Sequence, residues 1–394
     1  MNIKNTSLTL LAALAFSLSA CNSSDGGGNL TAANNKDTPA DPTSSGSVSS
    51  GSQTPQKQAI DYSLGKAMNA RIGKGINMGN TFDATCESCW GAGPVELSQV
   101  QAIAAAGFNS IRLPVRWDLE AENEAPYTIA PEYLARVKEV VGWINAAGLV
   151  AIINMHHHQS FLNDVANPEA EVKNQKPNLE NAEKHLARID SIWSQIAAYF
   201  ADVPNEKLVF ELFNEPRGGV SADLHNQMIA RTYPIIRATN PGRTIMYGCN
   251  DYNAYTGIRS LKLPADGNII FTPHYYVPAQ YALQGENYNC PETITTWEGT
   301  TAEINSMQED FDKLVRLADE LYPGGLPINI GEFGATECGG IPSRVKWVKQ
   351  FVKQAKSHNI SWNYWGFTNV GGYEIFDKEL GTWSDTETLN ALLK

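Results

Sequence analysis

Short apolar runs alternate with amphipathic stretches from residue 72 to near the end of the chain. Eight runs stand out, at 72–79, 108–114, 149–155, 207–214, 244–248, 268–273, 327–331 and 360–366. They are rich in Ile, Val, Leu and Phe with little polar alternation, as strands buried on both faces of a parallel sheet should be. Between them, residues 95–106, 131–147, 179–200, 222–239, 302–321 and 343–358 carry apolar positions at helical spacing. Gly107, Gly148 and Asn240-Pro241-Gly242 stand where helices stop. The connection between the fifth and sixth runs is the least helical. Eight strands alternating with helices predict one (β/α)8 TIM barrel, of α/β class, within residues 59–394. A doubly wound open sheet is the competing arrangement, but no Gly-x-Gly-x-x-Gly follows the first strand.

The N-terminus breaks this pattern. Lys4, the apolar stretch Leu10 to Phe16 and the ending Leu18-Ser-Ala-Cys21 predict a lipoprotein export signal over residues 1–20. Cys21 then becomes the lipidated first residue. An ordinary signal peptide with an incidental cysteine, giving a secreted protein, is the alternative. Residues 21–58 are Ser, Thr, Gly, Asn, Asp and Pro with almost no large apolar side chain. They cannot bury enough surface to offset ordering entropy, so they predict a flexible tether. Anchor and tether together would hold a catalytic domain off a membrane, and Asn22 in place of an Asp favours the outer membrane.

Composition narrows the partners. The chain has 394 residues and a net charge of −12, which argues against nucleic-acid binding because that needs a basic footprint. Beyond Cys21 there are five cysteines: Cys86, Cys89, Cys249, Cys290 and Cys338. An odd count leaves at least one thiol free in a disulfide-permissive compartment. Cys86 and Cys89 could staple a local loop. Pairing among the other three stays open.

Polar residues crowd the predicted C-terminal strand ends, the face where barrel chemistry sits. The first strand ends in Asn77-Met-Gly-Asn80, and the second offers Arg112. The third offers His156-His157-His158, and the fourth Asn214 and Glu215. The sixth offers His274 and Tyr276, the seventh Glu332 and the eighth Trp365. Unpaired buried polar groups are costly, so so many polar strand ends call for a function. Glu215 and Glu332 can face each other across a cleft, and two facing carboxylates are the minimum equipment for cleaving a glycosidic bond. Arg112 could be a structural ion-pair partner or a donor to Glu332. The histidines alternate across the strand, so only His156 and His158 can share a side. A metal site is not expected, because each carboxylate has a better role already. Nor does a Gly-x-Ser-x-Gly mark a serine nucleophile.

These residues as a set resemble glycoside hydrolase family 5, a retaining (β/α)8 family of endoglucanases, mannanases and related β-glycanases. The resemblance spans roughly residues 70–370. Its pieces are Gly75-Ile-Asn-Met-Gly-Asn-Thr81, Ile111-Arg-Leu-Pro114, His156, Phe213-Asn-Glu-Pro216, His274-Tyr-Tyr276, Ile330-Gly-Glu-Phe333 and Trp365. It implies that Glu215 is the acid/base and Glu332 the nucleophile. It also implies supporting and substrate-binding roles for Arg112, His156, Asn214, His274, Tyr276 and Trp365, with His157 as a second candidate to His156 and Asn80 beside them.

The expected activity is a retaining endo-β-1,4-glucanase acting on a β-glucan polysaccharide or oligosaccharide, as a monomer and without a cofactor. A mannanase, xyloglucanase or mixed-linkage glucanase of the same family is the alternative. A non-catalytic glycan-binding lipoprotein is the alternative from another class. The mechanism requires a raised pKa at Glu215 and a lowered one at Glu332.

Overall fold

The computed structural model describes residues 59–87, 89–158 and 179–394. The export signal, Cys21 and the 21–58 tether lie outside the described residues. All eight strands occur where the apolar runs predict them. They are β1 (Lys74–Asn77), β2 (Ser110–Leu113), β3 (Val150–Asn154), β4 (Leu208–Glu211), β5 (Ile245–Tyr247), β6 in two segments (Ile269–Phe271 and His274–Tyr275), β7 (Asn329–Phe333) and β8 (Ser361–Tyr364). Neighbours pair in parallel from β6 back to β1, and from β1 on through β8 to β7. The ring closes where Phe271 of β6 bridges Ile328 beside β7, its N–H donating to the Pro327 carbonyl at 2.9 Å.

Six helices follow the expected spans: α2 (Leu97–Ala106), α3 (Pro131–Ala146), α4 (Leu179–Tyr199), α5 (Ala222–Thr239), α6 (Thr301–Leu321) and α7 (Ile341–Ser357). Three more were not foreseen: α1 (Ser63–Ile72) before the first strand, α8 (Thr386–Leu393) after the last, and a single turn, Ala279–Ala282, after β6. Between β5 and β6 there is only a short 3-10 turn, Tyr255–Arg259. Strand side chains alternate between the helix layer and the barrel interior. Outward Ile111, Ile153, Phe210 and Ile330 join the large core under the helices.

The interior is divided by height. At its base Met68 and Ile72 of α1 pack on Val150, Ile152, Val209, Met246 and Ile270, a separate apolar plug. Above it the inward positions are polar and buried: Asn77, Arg112, Asn154, Glu211, Asn329 and Asn363. Such groups are stable inside only when hydrogen-bonded, and their partners set up the site above them.

Two disulfides tie loops at the active face. Cys86–Cys89 closes the local staple foreseen after β1. Cys290 pairs with Cys338, joining the loops after β6 and β7. Cys249 is free and buried.

Candidate active site

Arg112 is the centre of the site. It projects from β2 into the barrel and is fully buried. A guanidinium has five N–H donors in a fixed fork, and all five are used. Nε and Nη2 hold both oxygens of Glu211 at 2.6 and 2.7 Å. Nη1 donates to Asn77 Oδ1 at 2.8 Å and to Glu332 Oε1 at 2.6 Å, and Nη2 also reaches Asn214 Oδ1 at 2.7 Å. The two sequence readings of Arg112 therefore both hold: it is a structural ion-pair partner and a donor to Glu332.

Glu332 lies inside β7. Its neighbours Asn329 and Gly331 should face inward by alternation, leaving Glu332 to face out. The register of β7 against β8 shifts between Ile330 and Phe333. Such a bulge re-aims side chains: Glu332 turns inward, and Phe333, which alternation would face inward, turns out to stack on Phe351 of α7 at 3.6 Å. Tyr276 then donates from its hydroxyl to Glu332 Oε2 at 3.1 Å.

Glu215 follows β4 by four residues, on a backbone with φ 47°. A non-glycine residue there carries strain of roughly 1–3 kcal/mol, which surrounding contacts must hold. Asn214 supplies one such contact, its N–H donating to the Met155 carbonyl at 2.9 Å. With Asn214 Oδ1 taken by Arg112, its Nδ2 is the atom free to meet a ligand. Glu215 Oε1 accepts from His274 Nδ1 at 2.9 Å, and Arg217 Nη1 stands 3.8 Å from Oε2. His274 Nδ1 is also 3.6 Å from Glu332 Oε2. Oxygen and nitrogen atoms of Glu215, His274 and Glu332 all lie within 4.8 Å of one another.

The carboxyl pKa directions reverse the expectation. Burial alone would raise Glu215, but the His274 hydrogen bond and charge, then Arg217 and His157, more than offset it and hold it below the usual carboxylate range. Burial raises Glu332 against the pull of His274 and Arg112, and the Glu215 charge adds to the rise. Burial is the reason at Glu332, and at Glu215 it is outweighed first by His274, which the sequence places at the site without saying which carboxylate it touches. Its ring bonds Glu215, not Glu332, so a charge on that ring favours ionised Glu215.

The remaining residues divide. His156 is buried, its Nδ1 3.2 Å from Asn154 Nδ2, and its ring lies parallel to Trp365 at 6.2 Å. Trp365 is half-buried and leans over Gly79, where a Cβ would sit 2.5 Å from the indole. That close approach requires glycine. His157 is half-buried with φ 49° and meets Trp90 edge-on at 5.8 Å. His158 instead turns to His185 of α4. Asn80 sits at the rim with its amide committed to the Asn369 carbonyl at 2.8 Å, tying two loops. Asn77, three positions before Asn80 in the same motif, is the one that reaches Arg112.

Sequence reasoning missed Asn77 as a site residue, along with Glu211, Asn154, Arg217 and Asn253. Alternation along β4 would have found Glu211, because Val209 and Glu211 share a face. Nothing in the sequence marked Asn253.

Asp83, His156 and His157 also bring ligand-type atoms within 4.8 Å of one another. The Asp83 oxygens accept N–H bonds from Thr81 and Asn80 at 2.8 and 3.0 Å. Burial pushes this carboxyl up to about 7 against those bonds. An acid whose burial favours the neutral form, and whose oxygens already accept N–H bonds, suits a loop anchor better than a cation site.

An eight-stranded barrel with two opposed carboxylates at the C-terminal strand ends defines a class, the two-carboxylate glycoside hydrolases. Residues 72–371 match the family described as cellulase (glycosyl hydrolase family 5). The chain belongs to that family. It is 32% identical over 333 residues to endoglucanase H of Acetivibrio thermocellus, a match covering 82% of this chain and 33% of that one. The chain thus spans a third of that relative's length. A solved hyperthermophilic endo-β-1,4-glucanase in complex with substrate superposes with a TM-score of 0.75 at 32% identity, covering 84% of this chain and all of that one. Thermotoga maritima Cel5A structures, described with cellobiose and with mannotriose, superpose at 0.73 with 29% and 28% identity, each match covering 83% of this chain and 99% of that one.

Proposed function

We propose that this protein is a retaining endo-β-1,4-glucanase, with Glu332 as nucleophile and Glu215 as acid/base. The observation that carries the reading is the carboxylate spacing. Atoms of the two glutamates approach within 4.8 Å. Retaining enzymes hold their carboxyl groups about 5–5.5 Å apart, whereas inverting ones leave about 6.5–9.5 Å for a water.

Glu332 is oriented for attack. Arg112 holds one oxygen and the Tyr276 hydroxyl the other, so the carboxylate is fixed before substrate arrives. It attacks the anomeric carbon, and the bond to the leaving oxygen breaks as Glu215 gives that oxygen a proton. Glu215 then takes a proton from water, which attacks the anomeric carbon and releases Glu332. A glycan in the cleft excludes water from both carboxyls and raises Glu215 toward its protonated form. Glu332, with its two firm donors, is affected less. Asn214 Nδ2 is placed to donate to a sugar hydroxyl, and the half-buried Trp365 face suits the apolar side of a pyranose.

The test is a proton NMR time course on a soluble β-glucan. The β-anomer of the new reducing end appears first; first appearance of the α-anomer overturns the mechanism. Parallel reducing-sugar assays on carboxymethylcellulose, barley glucan, xyloglucan and glucomannan set the preference, with glucans expected to lead. Mannan is the second reading, favoured by the description of Thermotoga maritima Cel5A with both a gluco- and a manno-oligosaccharide. Faster release from glucomannan than from either glucan would adopt it.

The leader pattern supports a further part of the proposal: export, lipidation of Cys21 and an outer-membrane location. Wild-type protein should partition with membranes, and Cys21→Ala should leave it in the soluble exported fraction. Equal partitioning of the two would reject the anchor.

A further inference from the structure

Asn253 joins the site from the loop after β5, and its geometry constrains the proton on His274. The loop coils through three successive left-handed residues, Asp251, Tyr252 and Asn253, at φ 64°, 57° and 56°. Asn253 is fully buried. Its N–H donates to the Cys249 carbonyl at 3.2 Å, and its carbonyl accepts from the His274 N–H at 2.9 Å. A Cβ at residue 248 would lie 2.2 Å from Asn253 Oδ1, so Gly248 leaves the room this side chain fills.

The side-chain amide is oriented without ambiguity. The Cys249 backbone N–H lies 3.1 Å from Asn253 Oδ1. A backbone N–H can only donate, so the carbonyl end of the amide must face it. The NH2 end then points at His274 Nε2, 3.3 Å away. Nε2 must therefore accept, and the ring proton must be on Nδ1, where it is donated to Glu215 Oε1. An imidazolium would carry a second proton on Nε2, aimed at the NH2 group.

We infer that Asn253 is a positioning residue that holds His274 as the neutral Nδ1–H tautomer and so keeps the catalytic proton available to Glu215. The inference rests on the acid/base reading of Glu215 given above. The charges around the ring pull the other way. Glu332 and Glu215 both favour a protonated His274, against burial and Arg112. The donor–donor contact with Asn253 opposes that pull. Its importance is that a cationic His274 would stabilise Glu215 as a carboxylate, which cannot protonate a leaving oxygen. Arg217 and His157 also face Glu215 and favour its ionised form. Glu332, Glu286 and the Tyr276 hydroxyl stand on the opposing side. Against that surround, a neutral His274 favours ionised Glu215 through one hydrogen bond only, without the added pull of a ring charge. A purely structural asparagine would need only its backbone and its Oδ1; the amide reaching the imidazole is what the structural role does not require.

Asn253→Asp tests this, because a carboxylate accepts a hydrogen bond from a protonated Nε2 and so favours the imidazolium. The sign follows: charged His274 lowers the pKa of Glu215, and the acid must be protonated to act. The alkaline limb of kcat/KM therefore moves to lower pH. On an alkyl or unactivated β-cellobioside the loss at neutral pH should be about tenfold, a fraction of what a general acid contributes. On a dinitrophenyl β-cellobioside, whose leaving group needs no proton, the variant should match wild type. An alkaline limb that stays in place in a folded Asn253→Asp protein overturns the inference, as does equal loss on both substrates.

Nitrogen-15 NMR of histidine-labelled wild type gives a second readout that does not depend on the variant folding. The His274 signals, assigned by their loss in His274→Gln, should show a protonated Nδ1 and a bare Nε2 at neutral pH. A protonated Nε2 overturns the inference. Glu215→Ala separates this from the parent reading. If Glu215 is the acid, that variant loses activity on the poor leaving group and keeps glycosylation of the activated one. If it loses both equally, the acid/base reading itself fails.

Discussion

Glu332→Ala yields a folded barrel that releases no sugar from β-glucans, with kcat lower by at least on the order of 10^4-fold, the scale of removing a covalent nucleophile. The fold should survive because Arg112 keeps four of its five acceptors: both oxygens of Glu211, Asn77 and Asn214. The alanine leaves a small cavity under the anomeric carbon, lined by a guanidinium, a tyrosine hydroxyl and His274. A small anion suits such a space. Azide with an activated β-cellobioside should then restore turnover and produce the α-cellobiosyl azide, since it attacks from the face that Glu332 vacated. Glu215→Ala with azide should give the β-azide instead, because there the anion intercepts the intermediate on Glu332 from the opposite face. Product NMR distinguishes the two. The α-azide from Glu215→Ala would exchange the two roles.

The barrel was readable because its strands are short, mostly apolar runs buried on both faces and set apart from the longer amphipathic helices by length and by the Gly and Pro between them. α1 was not, because Leu64, Met68 and Ile72 are its only large apolar residues and Ile72 borders the first strand run. The helix is justified by what it covers, the open base of the barrel, and that is a tertiary fact. The site was readable to the depth of the strand tips. Glu215 and Glu332 announce themselves as acids beside apolar runs. Glu211 hides as the single acid within such a run, and only the inward alternation reveals its place. The bulge that aims Glu332 inward is equally hidden, since alternation alone would send it outward. Asn253 is further from reach, because its role depends on a loop of three left-handed residues and on a glycine five positions earlier. The reversed pKa directions are hidden for a related reason: residue identity gives the groups present, but only the folded structure says how deeply Glu332 is buried and that the His274 ring bonds Glu215.

Glu211→Leu should unfold more readily than any single change at the substrate-facing rim. It removes the bidentate partner of a fully buried guanidinium and leaves Nε and one Nη2 proton without acceptors. Removing one partner of a buried ion pair is destabilising by about 3–5 kcal/mol, most of it from the charge left behind. Glu332 cannot compensate, because it already accepts from Nη1 and is held by Tyr276. Arg112→Met should be comparably harmful, leaving Glu211 and Glu332 buried without their cation. The double variant Arg112→Met/Glu211→Leu removes both members of the lower pair and replaces them with apolar groups of similar reach. Its stability should recover most of the loss of either single change, as replaced buried pairs commonly do. Activity should not recover with it. Glu332 loses its 2.6 Å donor and Asn214 loses the bond that fixes its amide, so the nucleophile is neither charged nor aligned. Denaturant unfolding and kcat/KM measured on all four proteins complete the cycle. Additive losses of stability would show that Arg112 and Glu211 do not act as a pair. Recovered activity in the double variant would show that Arg112 serves the fold alone.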